Sequence, residues 1–223
     1  MVRLHAVVEG QTEETFVNHV LAPVLGEASV FIDAHRVTTG RKKGRLHRGG
    51  ISSYAQLKND LVLWMKQDRN PGVRFTTMID LYRLPPDFPG YDECRKRDDP
   101  IERVRCLETR LQNDVNDQRF VPYIQLHEFE ALLFAEVSAF ETVFPGIPNL
   151  VEDLEAVRNS FASPEHINER PDQSPSARIL ERVPSYAKPV SGLLIVQRIG
   201  LARLRTECTH FDEWINRLER LVG

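Results

Sequence analysis

Residues 6–16, AVVEGQTEETF, decide how the chain is read. Ala6, Val7 and Val8 read as the apolar end of a buried strand that spans residues 3–8. Glu9 then stands at the strand's carboxyl tip, and Gly10 permits a tight turn or a close backbone approach. Thr12 is expected to cap a helix whose first turn holds Glu13 and Glu14. Acids there complement the helix dipole, each by roughly 0.3–1 kcal/mol, and Glu14 is expected to face solvent. Glu9 precedes the turn, and the dipole gives no reason for it.

Moving outward, Phe16, Val20, Leu21 and Val24 share one face of a helix over 12–25. VFIDAHRV (30–37) reads as a second strand, and TTGRKKGRLHRGG (38–50) as a basic, glycine-rich loop. Leu57, Leu61, Trp64 and Met65 recur at helical spacing over 52–67, with Ser52 or Ser53 as cap. GVRFTTMID (72–80) is β-branched and aromatic, a third strand. An irregular stretch with Pro85, Pro86 and Pro89 follows. A helix over 99–117 carries Ile101, Val104, Leu107, Leu111 and Val115 on one stripe. FVPYIQL (120–126) reads as a fourth strand, and HEFEALLF (127–134) as the start of another helix.

Strands separated by helices of this length pair in parallel, because the crossover needs a helix to bring the chain back. Residues 1–135 are therefore expected to form an α/β, Rossmann-like, mostly parallel sheet flanked by helices. From 136 onward only helical segments are read, over 149–161, 176–183, 190–199 and 209–222. Residues 136–223 are expected to be a helical extension packed on the same domain.

The net charge is −3, so no global basicity marks a nucleic-acid binder and any such surface must be local. Cys94, Cys106 and Cys208 are far apart and odd in number. Neither a disulfide framework nor a metal–thiolate site is expected, and a reducing cytoplasm is the default compartment. The N-terminal apolar run is too short for a signal peptide, and no stretch approaches the length of a membrane span.

In an open parallel sheet, ligands bind at the carboxyl ends of the strands. Glu9 ends the first strand, Asp80 the third, and Glu128 lies just past the fourth. Glu13 and Glu130 are close enough in sequence to join them. Any one of these acids alone is a helix cap or a solvated loop residue; three at one edge are harder to dismiss. Two carboxylates about 5 Å apart repel by roughly 3 kcal/mol at an effective dielectric near 20. Such a cluster raises pKa values or holds a cation. Oxygen donors without cysteine or a paired-histidine motif suit Mg²⁺ or Mn²⁺, the usual machinery of phosphodiester cleavage. His127 is either an acid, base or ligand, or simply structural. Arg36, Arg41, Lys42, Lys43, Arg45, His47 and Arg48 form the densest basic run and follow the second strand. They are candidates for phosphate contact, against the plainer reading of a solvated loop. Ser176, Arg178 and Lys188 are weaker candidates for a second patch.

VVEGQTEE (7–14) with TTMIDLYRLP (76–85) resembles the Toprim domain, the metal-binding fold of topoisomerases, primases and the overcoming-lysogenization-defect (OLD) nucleases. The chain is more closely similar to a Toprim-like group, domain-of-unknown-function family 4276. GRLHRGGISSYAQLKNDL, PYIQLHEFEALLF, PSARILERVPSYAK and IGLARLRTECTHFDEWI look like further blocks of that family. The resemblance implies Glu9 as the Toprim glutamate, Glu13 as its companion acid and Asp80 as the first acid of an Asp-x-Asp motif. Tyr82 stands where that motif has its second acid, which puts the two-metal arrangement in doubt unless Glu128 or Glu130 substitutes. Related groups are often encoded beside ATPases in antiviral defence systems, so an ATPase partner is implied by analogy.

The expectation is a cytoplasmic, Mg²⁺- or Mn²⁺-dependent nuclease acting on DNA or RNA, with Glu9, Asp80 and Glu128 at its centre. Two alternatives stay open: a non-catalytic module that binds nucleic acid or a partner, and a phosphoesterase acting on a small nucleotide. Self-association into a homo-oligomer is also left open.

Overall fold

The structure, a computed structural model, describes residues 1–42, 45–48, 51–167, 170 and 172–222, and for 38–42 and 45–48 the backbone only. In chain order the first elements are β1 (Val2–Val8), α1 (Gln11–Phe16), a π-helical stretch (Val17–Leu21), α2 (Ala22–Glu27) and β2 (Val30–Arg36). Then come β3 (Thr38–Lys42), β4 (Arg45–Arg48), α3 (Tyr54–Gln67), β5 (Val73–Asp80), α4 (Tyr91–Cys94) and α5 (Pro100–Val115). The short strands β6 (Phe120–Val121) and β7 (Ile124–Gln125) complete the sheet. After them the chain is helical: α6 (Ala139–Val143), α7 (Leu150–Asn159), α8 (Pro175–Arg182), α9 (Leu193–Ile199), α10 (Leu201–Glu207) and α11 (Thr209–Glu219).

The main sheet runs β2-β1-β5-β6, with β7 also on β5, and every pairing in it is parallel. β1 and β5 are buried along almost their whole length, as expected of inner strands covered on both faces. Leu4, Ala6, Val8, Ile32 and Met78 belong to one apolar cluster with Phe16, Leu21 and Leu25. Ile195, Val196, Leu204, Phe211 and Trp214 of the C-terminal helices join the same cluster. Val7, Val73, Phe75 and Ile79 belong to the other, with Leu57, Leu61 and Met65 of α3 and Val104, Leu107 and Leu111 of α5. This alternation along β1 sends odd and even residues to opposite layers. Trp214 ties the last long helix to the sheet centre: its Nε1 donates to Thr76 Oγ1 at 3.0 Å, and its ring stacks on Tyr123 at 4.1 Å.

Several expectations need correction. The basic stretch after β2 is a β-hairpin, with β3 and β4 antiparallel and Lys42 opposite Arg45. The fourth strand is broken at Pro122, which has no N–H to donate to a ladder. Threonine hydroxyls bridge the gap. Thr76 Oγ1 donates to Val121 O at 2.6 Å, while Thr77 Oγ1 donates to Tyr123 O and accepts from Tyr123 N. The segment after it is a 3₁₀ helix, Phe129–Ala135. The first helix passes through its π-helical stretch, and its N-cap is Gly10, not Thr12. Cys94 and Cys106 are joined in a disulfide with Cα atoms 5.6 Å apart, because α4 folds back along α5. The cysteine argument for a reducing compartment therefore lapses. Among the described residues no helix is long and apolar enough to cross a membrane.

Candidate functional site at the carboxyl edge of the sheet

Glu9 leaves β1 still in register: its N–H donates to Met78 O at 3.2 Å. Its Oε2 accepts from Asp80 N at 3.2 Å, so one carboxylate ties the carboxyl ends of the two central strands together. Gly10 is extended and its N–H donates to Glu13 Oε2 at 2.8 Å. A Cβ on Gly10 would lie 3.1 Å from that oxygen, so any side chain there would crowd the turn. Glu13 is thus folded inward and buried. Glu14, expected to face solvent, is half-buried and pairs with Arg36 Nε at 3.0 Å.

Asp80 ends β5, and its Oδ1 is buried with no hydrogen-bond partner. Glu128 and Glu130, both buried, sit at the start of the 3₁₀ helix that follows β7. Glu128 accepts from Ser176 N at the start of α8. Lys188, from the π-helical turn before α9, donates to Glu130 Oε2 at 2.9 Å and to Glu128 Oε2 at 3.4 Å. Tyr186 OH donates to Glu130 Oε1 at 3.2 Å. The strand-end acids are therefore met from above by two segments of the C-terminal half.

Electrostatics bind these groups into one unit. Burial pushes Glu13 up to about 7, and the charges of Glu9 and Glu130 add to the rise. Asp80 is pushed well up, first by burial and then by Glu13, Glu9 and Glu130, with Lys188 opposing. Glu9 is raised by burial against the hydrogen bond from Asp80 N and the charges of Arg83 and Lys188. Glu130 is likewise raised by burial, with Lys188 opposing and Glu128 adding to the rise. Burial works against the Lys188 ammonium, but Glu130 and Glu128 hold it charged beyond the ordinary lysine range. The oxygens do not close on one point, however. Among the described residues no three carboxylates bring an oxygen each within 4.8 Å of one another.

The other expected residues are placed as follows. His127 is buried with φ +58°, and its Nε2 lies 3.0 Å from Glu165 O. Tyr82 N donates to His127 O at 2.8 Å, linking the two strand ends, while the phenol is half-buried in a hollow lined by Tyr91, Arg95 and Arg103. Arg178 lies over the Phe161 ring at 5.5 Å. Arg41, Lys42, Arg45 and Arg48 lie on β3 and β4, where the backbone alone is described, and Lys43 is outside the described residues. Sequence reasoning missed Arg83 and Tyr186; it grouped Lys188 with Ser176, and the two share Glu128, through the Lys188 ammonium and the Ser176 N–H. Arg83 could have been noticed three residues after Asp80. Nothing local marks Tyr186.

Comparison with known proteins gives one family. Residues 8–219 match the model described as "Domain of unknown function (DUF4276)". No curated protein matches this chain. Among solved structures, the C-terminal region of the OLD protein of Xanthomonas campestris pv. campestris is similar at 14% identity, over 97% of each chain, with a TM-score of 0.40.

Proposed function

This chain belongs to the DUF4276 family, and from that premise we propose that it is a Mg²⁺- or Mn²⁺-dependent nuclease of the Toprim type. The observation that carries the reading is the group of buried, mutually repelling carboxylates at the strand ends, with Asp80 Oδ1 left unpartnered. Desolvated like charges are costly to assemble, and such arrangements concentrate at sites that bind or react. The donor set fits a hard divalent cation: carboxylate oxygens with no thiolate among them. Glu9 and Asp80 would hold it, with Glu13, Glu128 and Glu130 near enough in charge to assist. A bound divalent ion supplies Lewis-acid activation of a phosphoryl oxygen and an activated water.

The remaining residues have roles of their own. Lys188 is half-exposed, so it neutralises Glu128 and Glu130 while offering a cation to an incoming phosphate. Arg83 is exposed, its charge favours ionised Glu9, and it can likewise offer a cation to a phosphate. The β3–β4 hairpin carries Arg41, Lys42, Arg45 and Arg48 directly after β2, next in the chain to the same sheet edge. A DNA or RNA backbone lying along it would release counterions. An ATPase partner and a place in antiviral defence rest on the Toprim resemblance alone.

A second reading is a module that binds nucleic acid without cutting it. Tyr82 in place of an acid and the separation of the carboxylate oxygens favour it. The decisive experiment is a cleavage screen over single- and double-stranded DNA, tRNA and other RNA, in EDTA, Mg²⁺ and Mn²⁺. Divalent-dependent cleavage that falls to background in Glu9→Gln and Asp80→Asn supports the nuclease. Binding without cleavage on every substrate supports the module, and cleavage that survives both substitutions overturns the site.

A further inference from the structure

Four residues before Glu9, roughly 13 Å back along β1 at 3.3 Å per residue, a second polar cluster lies in the sheet. His5 is in register with Asp33 on β2 and with Phe75 on β5, and His35 follows two residues after Asp33. The period of the strand therefore puts Asp33 and His35 on one face of β2, an edge strand of the main sheet. His5 is 6% exposed, its ring between Trp64 at 5.5 Å and Phe75 at 5.4 Å. Trp64 also stacks on His35 at 3.7 Å. An imidazole this deep among aromatic rings must have its nitrogens used.

They are used in a particular way. His5 Nδ1 lies 3.2 Å from His35 Nε2 and 3.2 Å from Asp33 Oδ2. His35 Nε2 is 2.5 Å from the same oxygen. On the far side of the ring, His5 Nε2 meets Asp68 Oδ2 at 3.2 Å, and Asp68 is itself held by Arg3 at 2.8 Å. Two ring nitrogens and a carboxylate oxygen thus converge on one point, the condition the acids at the strand ends do not meet. Ligands of a tetrahedral ion at 2.0–2.1 Å stand about 3.3 Å apart, close to two of the three separations. The third opens by movement of Asp33, whose side chain is 47% exposed.

We propose that His5 Nδ1, His35 Nε2 and an Asp33 oxygen bind a borderline transition-metal ion of the Zn²⁺ class. Asp68 is the positioning residue. By accepting from His5 Nε2–H it fixes the tautomer that turns the Nδ1 lone pair toward the ion, the carboxylate–histidine–metal relay of many zinc sites. Mixed nitrogen and oxygen donors select such ions over Mg²⁺, so this site and the strand-end carboxylates would not compete for one metal. Three protein ligands leave a position for solvent on the open side of β2, while Trp64 and Phe75 keep the inner side dry. The ion would fasten this edge strand to β1 directly before the basic hairpin.

The test is a Co²⁺ titration of the full, tag-free, EDTA-stripped chain, followed by visible d–d absorption and then by displacement with Zn²⁺. The expected result is a stoichiometric tetrahedral-type band that Zn²⁺ bleaches. It should vanish in His35→Ala and persist in Asp80→Asn. Asp68→Ala should weaken Zn²⁺ binding by about 10–100-fold. Thermal unfolding in EDTA identifies any variant that fails to fold, in which case Asp33→Asn, altered at a half-exposed ligand, replaces His35→Ala. No band in the unaltered protein overturns the site, as does a band that survives loss of His35 or Asp33 or one that requires Asp80.

Discussion

β1 carries two polar clusters, one around buried His5 and one around buried Glu9, and they treat charge in opposite ways. At its middle, His5 and Asp33 have complementary charges. Hydrogen bonding to Asp33, against burial, raises His5 above the ordinary histidine value, while its two histidine partners overcome burial and lower Asp33. At its carboxyl tip, Glu9, Glu13, Asp80 and Glu130 share one sign, and burial raises each of them. The first cluster supports the fold as it stands. The second opposes it, and an arrangement that opposes folding is explained by what it binds. Their pH signatures differ accordingly. Folded Glu13 holds its proton to about 7, against an ordinary value near 4.5, so stability falls as pH rises through that window and then levels. The His5 contribution is intact below the ordinary histidine value and is lost as pH rises through its elevated folded value.

Glu13→Gln should break the contrast most. The amide can still accept from Gly10 N but carries no charge, so unfolding in urea at pH 8 should cost about 3 kcal/mol more than for the parent, in the absence of divalent ions. The fall in stability between pH 4.5 and 7 should flatten. A variant less stable than the parent at pH 8 would mean that the cluster is not repulsive. Next comes Lys188→Ala. Removing the partner of a buried ion pair costs about 3–5 kcal/mol, and the half-exposed ammonium reduces this to about 2 kcal/mol. The loss should be larger at pH 8 than at pH 5, because burial raises Glu130 and lower pH brings it nearer its neutral form, and Mg²⁺ should restore part of it. Equal losses at both pH values would remove Lys188 from the cluster.

Asp33→Asn should lower stability by less than about 1 kcal/mol, since its carboxylate is half in water. It should also move the His5 titration, followed by imidazole NMR, toward the ordinary value. An unmoved His5 would break the pairing on which the contrast rests. Glu14→Gln should cost least, within about 0.5 kcal/mol, because its pairing with Arg36 lies in the partly exposed range where such bridges contribute little. A larger loss would bring Glu14 into the buried unit.

The contrast also marks what the sequence can disclose. Glu9 and Asp80 are legible because each ends an apolar run, and a parallel sheet brings the ends of its strands to one edge. α3 and α5 are legible from their stripes. Lys188 and Tyr186 are not, since they reach Glu130 only after the C-terminal helices dock, across a separation of 58 and 56 residues. His5 looks like an interruption in an apolar strand until the register with β2 shows Asp33 opposite it. The basic hairpin escapes notice because glycine, lysine and arginine carry no strand alternation. The disulfide escapes because Cys94 and Cys106 are 12 apart in sequence, a separation that says nothing of the fold-back between α4 and α5.

The bond between Trp214 and Thr76 has a consequence in time. Its partners are 138 residues apart, and at 5–20 residues per second the ribosome makes Trp214 roughly 7 to 28 s after Thr76. For most of that interval this face of the sheet has α1 and α2 but lacks the C-terminal helices that complete its cover, although β1, β2 and β5 have all been made. The nascent chain must hold part of an apolar sheet face unsatisfied, or stay unpaired, until α11 arrives. Closing this face of the sheet therefore waits on residues made long after its strands, and a ribosome stalled in that interval would present to chaperones a sheet face covered only by α1, α2 and the π-helical stretch between them.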